Sequence, residues 1–230
     1  LGWMNVSQLI AYVGSFYATW DTAMIASLVH RLQLTPHAPV GSLSPGHVQA
    51  VSLILALAHH PELLLLDEPL SDLDPTARHE VIALLLEYYN THPCTMLVSS
   101  HLLHDIEPLI NSVIGLTAGC VTANAELDTL KERYVEWVVT ARSTPLPTTW
   151  NAPHVIRADG DSRSARLVLY ATPAEQIVLR AAHVAQHDVD IETRALNLER
   201  LFPLITQHRA TANTATDGPA AAVDGVHASH

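Results

Sequence analysis

The sequence predicts an α/β protein: a mostly parallel sheet with a helical subdomain, then a small C-terminal α+β extension. Three observations predict it. Short apolar strands alternate with helix-length segments up to about Tyr134, the pattern of parallel strands joined by crossover helices. After Tyr134 the texture changes to four short strand-like runs, with one helix between the last two. From about His208 the chain is rich in Ala, Thr, Asp and His and nearly free of large apolar residues, a composition that builds no core. The expected organisation is a first domain over 1–134, an accessory α+β domain over 135–207 and a disordered tail over 208–230.

Each element has its own warrant. Apolar residues recur at helical spacing from Val6 to Ala18 and again from Asp21 to Leu34, where Asp21 is a natural N-cap. Pro and Gly interrupt the pattern in "TPHAPVGSLSPG". A helix is expected from about His47 to Ala58, a buried strand over "ELLLLDE", a helix from Pro75 to Tyr89 and a second apolar strand over "CTMLVSS". His101 to Ile110 reads as helix, "SVIGLTAGCVT" as two strands around a turn, and Glu126 to Tyr134 as helix. In the extension, "VEWVVTA", "HVIRA", "ARLVLYA" and "VDIETRA" read as strands, Pro173 to Gln186 as a helix and "NLERLFPLI" as the closing helix.

Composition narrows the function. A formal charge of -11 without a Lys/Arg run offers no basic face for nucleic acid. The two cysteines, Cys94 and Cys120, lack CxxC spacing and fit a reducing compartment better than a disulfide framework. The apolar runs fall far short of a bilayer span. The chain opens at Leu1 in mid-pattern, so a fragment is expected.

The chemistry is expected where "LLLLDEP" ends. A buried parallel strand delivers its last side chains to the carboxyl edge of the sheet, where ligands of open α/β folds bind. Asp67 and Glu68 sit there. Neighbouring strand residues point to opposite sides, so the two acids take different tasks. One suits Mg²⁺, and the other suits orienting or deprotonating a water. A lone acid pair merely ends a strand; four leucines before it and "PLSDLDP" after it argue for more. Asp74-Pro75 is a cap-then-Pro helix start, and Ser44 caps the helix before. A helix start is also an anion site.

Taken together, "LSPGH", "LLLLDEP", "SDLD" and the histidine after "TMLVSS" resemble the nucleotide-binding subunit of ATP-binding cassette (ABC) transporters, in order and spacing, over about Leu43 to Leu116. The resemblance implies a P-loop NTPase-like ABC ATPase core, ATP and Mg²⁺ as cofactors, and hydrolysis between two head-to-tail subunits. It implies Asp67 as the metal-side carboxylate of Walker B, Glu68 as catalytic base and His101 as the switch histidine at the γ-phosphate. Ser44, Gly46 and His47 of the signature and Asp74 of the D-loop would reach the partner's nucleotide. The implied partners are a second ABC ATPase subunit and transmembrane permease subunits, with no nucleic acid, and the implied place is the cytoplasmic face of the membrane. More loosely, "WMNVSQLIAYVGSFYATWD" resembles the helical subdomain of bacterial exporter ATPases, and "ALNLERLF" the end of their C-terminal extension.

Two departures stand out. The only lysine is Lys131 in "DTLKERY", so no G-x-x-x-x-G-K-[ST] phosphate loop lies within these residues. Without one, the 230 residues are expected to bind ATP poorly and hydrolyse essentially none. In the signature, Pro45 replaces the usual first glycine and has no N–H to donate, and His47 replaces the usual glutamine. The alternatives are a non-catalytic partner that lends only its signature and D-loop, and a chromosome-maintenance ATPase head, disfavoured by the lack of heptads in the first 42 residues. Beyond His47 and His101, the other thirteen histidines are assigned no role.

Overall fold

The computed structural model describes residues 2–147, 149–150, 152 and 154–213. The chain divides into two compact units, Leu1–Leu109 and Ile110–His230.

The first unit begins with α1 (Val6–Gly14), whose start is fixed by a reciprocal Asn5–Gln8 capping box, and α2 (Thr22–Arg31), capped by Asp21. Next come α3 (Pro45–Leu57), β1 (Leu63–Asp67), α4 (Pro75–Thr91) and β2 (Thr95–Ser99). β1 and β2 pair in parallel, Leu63 opposite Thr95 through Asp67 opposite Ser99. The core joins Ile54 and Leu57 of α3 to Leu85 of α4, with Leu64 and Leu66 from the inner face of β1. A buried strand was expected over "ELLLLDE", and this is corrected for its outer face. Leu65 is 64% exposed, and Leu63 and Leu97 are each 54% exposed. Strand side chains alternate, so the core takes only alternate residues of β1, and no described residue buries the other face. The helix expected over His101–Ile110 is also shorter. It forms α5 (Leu103–Ile106) and a 3₁₀ turn, Glu107–Leu109. Pro108 has no N–H to continue the helix.

In the second unit, β3 (Ser112–Thr117) and β4 (Cys120–Glu126) form a hairpin. Its turn places Ala118 and Gly119 both at positive φ, 49° and 78°, as a type I′ hairpin turn requires. Then follow α6 (Leu127–Arg133), β5 (Tyr134–Ala141), β6 (Val155–Gly160), β7 (Ser164–Tyr170), α7 (Pro173–His187), β8 (Val189–Ala195) and α8 (Leu198–Asn213). The four strands make an antiparallel sheet in the order β6-β7-β5-β8 around Trp137, Leu167 and Leu169. α8 packs on the β3–β4 hairpin and on α6, so the unit starts at Ile110, ahead of the change in composition at Tyr134. α8 runs to Asn213, past the expected start of the tail at His208, and residues 214–230 lie outside the described residues. Glu136 on β5 is 3% exposed and receives both ends of the Arg200 guanidinium from α8. Those hydrogen bonds hold its carboxyl below the ordinary glutamate range against the opposing effect of burial.

Candidate functional site

The side chains of the two adjacent acids take different partners, but β1 ends at Asp67 and strand alternation does not extend to Glu68. Asp67 lies opposite Ser99 in the register, and its Oδ1 accepts the Ser99 hydroxyl. At Glu68 the chain leaves the strand with φ of 46°, a left-handed conformation uncommon outside glycine. That turn is fastened from several sides. The Glu68 N–H donates to the Ser99 carbonyl at 3.0 Å, and its carbonyl accepts the Ser71 hydroxyl at 3.1 Å and Gln49 Nε2 at 2.7 Å. The Glu68 carboxylate then faces His101. Oε1 accepts the His101 backbone N–H at 3.0 Å, and Oε2 lies 2.8 Å from His101 Nδ1. Strand β2 brings His101 there by ending at Ser99, directly beside β1.

The second group lies at two helix starts. Ser44 caps α3, its hydroxyl accepting the His47 N–H at 3.3 Å, with Pro45 at the first helical position. Asp74 caps α4, its Oδ1 accepting the N–H groups of Thr76 and Ala77 at 2.9 and 3.1 Å, with Pro75 following. Gly46 packs closely on the neighbouring loop. A Cβ there would stand 3.0 Å from the Asp72 carbonyl oxygen and 3.2 Å from Leu73 Cδ2. Ser44, Gly46, His47 and Asp74 all line one open cleft of about 600 Å³. Asp67 lies outside it, in a shallower depression that shares Pro45 and Asp72 with the cleft. The seven expected residues thus form two groups, Asp67–Glu68–His101 and Ser44–Gly46–His47–Asp74, bridged by Gln49 and the Asp72 loop.

The chain is 32% identical over 129 residues to "ABC transporter ATP-binding protein YtrB" of Bacillus subtilis (strain 168), covering 56% of this chain and 44% of that protein. It is 37% identical over 94 residues to "Bacitracin transport ATP-binding protein BcrA" of Bacillus licheniformis, covering 41% and 31%. Its homologues are ABC transporter ATP-binding proteins. A solved "ATP binding subunit of ABC transporter" aligns at a TM-score of 0.51 and 23% identity, over 57% of this chain and 56% of that one, and shows the shared fold. The chain spans a little under half the length of the first curated relatives it matches. No protein-family profile matches it.

The fold is therefore that of an ABC ATPase cassette over the matched region. Reading the sequence alone missed Ser99 and Gln49. The Ser99 signal lay in "TMLVSS", since a parallel neighbour of β1 must end beside Asp67. Gln49 follows the last signature residue, His47, by two positions on α3, and only the folded chain reveals that it reaches the Glu68 carbonyl. The donor chemistry beside Asp67, an exposed carboxylate next to a serine hydroxyl, consists of hard oxygens and fits Mg²⁺. The first turn of α3 fits an anion. Pro45 offers no N–H, Ser44 takes the N–H groups of His47 and Val48, and the Gly46 N–H remains without a protein acceptor among the described residues.

Proposed function

We propose that this chain carries the signature, Walker B, D-loop and switch portion of an ATP-hydrolysing ABC transporter subunit. One observation supports it best: Glu68, locked in a left-handed turn at the end of β1, aims its carboxylate at His101 beside the Asp67–Ser99 pair. In this reading the Asp67 carboxylate would hold Mg²⁺, which would supply positive charge against the developing phosphate charge. Glu68 orients and deprotonates the attacking water, and His101 positions the Glu68 carboxylate and meets the γ-phosphate. Ser44, Gly46 and Asp74 serve the nucleotide of a second, head-to-tail subunit, while His47 presents an imidazole to the same cleft. Residues 1–134 are the partial ATPase domain, and 135–207 form an accessory domain. The assembly couples hydrolysis to a membrane permease from the cytoplasmic side. Among the described residues no helix is long and apolar enough to cross a membrane.

The test is ATP turnover by the product of the whole reading frame and by its Glu68→Gln variant. The proposal expects Glu68→Gln to lose hydrolysis by a hundredfold or more, because the general base is gone, while still binding Mg-ATP. Turnover that survives Glu68→Gln overturns the reading. The 230 residues alone are expected to turn over no ATP, since they contain no G-x-x-x-x-G-K-[ST]. The second reading is a non-catalytic partner lending Ser44 and Asp74 to another subunit's ATP. Under it, the whole product is inactive alone and raises the turnover of a P-loop-bearing subunit.

A further inference from the structure

Away from both groups, three segments of the first unit bring an aspartate and two histidines together. Asp21 caps α2, its Oδ1 accepting the Met24 N–H at 2.8 Å, and its own N–H donates to the Ala58 carbonyl at the end of α3. His60 stands in the turn between α3 and β1, and His92 is the C-cap of α4. One ligand-capable atom from each lies within 4.8 Å of the others. None of this is visible in the sequence, where the residues are far apart and share no motif spacing.

We propose that Asp21, His60 and His92 form a three-ligand site for a divalent transition ion of the zinc class. The first reason is polar accounting. His60 Nε2 is 3.4 Å from Asp21 Oδ2, long for a hydrogen bond, so the ring nitrogen that faces the carboxylate is not well served by protein. The Nε2–Oδ2 separation equals the roughly 3.4 Å edge of a tetrahedron built on ordinary zinc bond lengths. The second reason is the donor set. Two imidazoles and one carboxylate select zinc-like ions over Mg²⁺ or Ca²⁺, and three protein ligands leave a fourth position for water.

His60 and His92 stack at 4.1 Å with an 11° tilt, and Tyr88 stacks on His92 in turn. Parallel rings do not aim two lone pairs at one point. Binding therefore turns His92 out of the stack and away from the Thr91 hydroxyl, 2.9 Å from its Nδ1. The ion then clamps the start of α2, the α3–β1 turn and the end of α4.

The experiment is Co²⁺ titration of the 230-residue chain, followed by visible absorption and by displacement with Zn²⁺. One equivalent with the intense absorption of four-coordinate cobalt is expected. His60→Ala, His92→Ala and Asp21→Asn each weaken binding at least tenfold, whereas His37→Ala, at an exposed histidine, leaves it unchanged. Asp21→Asn keeps a competent helix cap, and His92→Gln serves should His92→Ala fail to fold. Either result overturns the proposal: no saturable equivalent, or an affinity untouched by the His92 and His60 substitutions.

Discussion

Glu68 commits both carboxylate oxygens to His101, one to its backbone and one to its ring. Adjacent acids after a run of leucines made Asp67 and Glu68 legible in the sequence, although the left-handed turn at Glu68, not strand alternation, parts them. Their partners were less legible. Ser99 and Gln49 act through register and through reach from a helix, which motif spacing does not encode. Glu136 is a further case, since an acid inside "VEWVVTA" reads as the solvent side of a strand. It is buried, and Arg200 on α8 compensates it. Arg200→Ala is expected to destabilise the chain by about 2 kcal/mol, because an unpaired carboxylate stays buried. The Glu136 pKa is lowered on folding, so the pair contributes fully above the ordinary glutamate pKa. The contribution fades as pH falls through the lower folded value. Urea unfolding followed by tryptophan fluorescence, wild type against Arg200→Ala, should therefore differ most near neutrality and least in acid.

At the scale of elements, caps and proline made α4 and α7 readable nearly to the residue. Asp74 and Thr172 each precede a Pro at the first turn. α5 was misjudged, since helical periodicity over His101–Ile110 did not weigh Pro108 against so short a segment. The caps give a direct prediction. Asp74→Ala removes the acceptor for two N–H groups of α4 and is expected to cost about 1 kcal/mol by thermal unfolding. Gly46→Ala acts differently. Its methyl group meets the Asp72 carbonyl oxygen at 3.0 Å, a backbone atom that moves only with its loop. Displacement of that loop against α3 is expected, read as changed amide shifts for Asp72 through Asp74 in a ¹H–¹⁵N spectrum, where unchanged shifts would contradict it.

On the molecular scale, alternation of strands and helices located the α/β core, and the change of texture announced an antiparallel extension. The bare outer face of β1 and β2 was not legible. "LLLL" reads equally well as a strand buried on both sides, and only the fold reveals that Leu63, Leu65 and Leu97 remain exposed. Such a surface recruits other apolar matter. Leu65→Gln with Leu97→Gln is expected to reduce dye binding by 8-anilinonaphthalene sulfonate and light-scattering aggregation, with little change in the unfolding midpoint. The Gln49 side chain carries a mechanical meaning of its own. Its amide grips the carbonyl of Glu68 at 2.7 Å, from a helix whose first turn borders the cleft. The turn that carries the acid at the tip of β1 is thereby tethered, through a side-chain amide, to the same helix that Ser44 opens at the cleft.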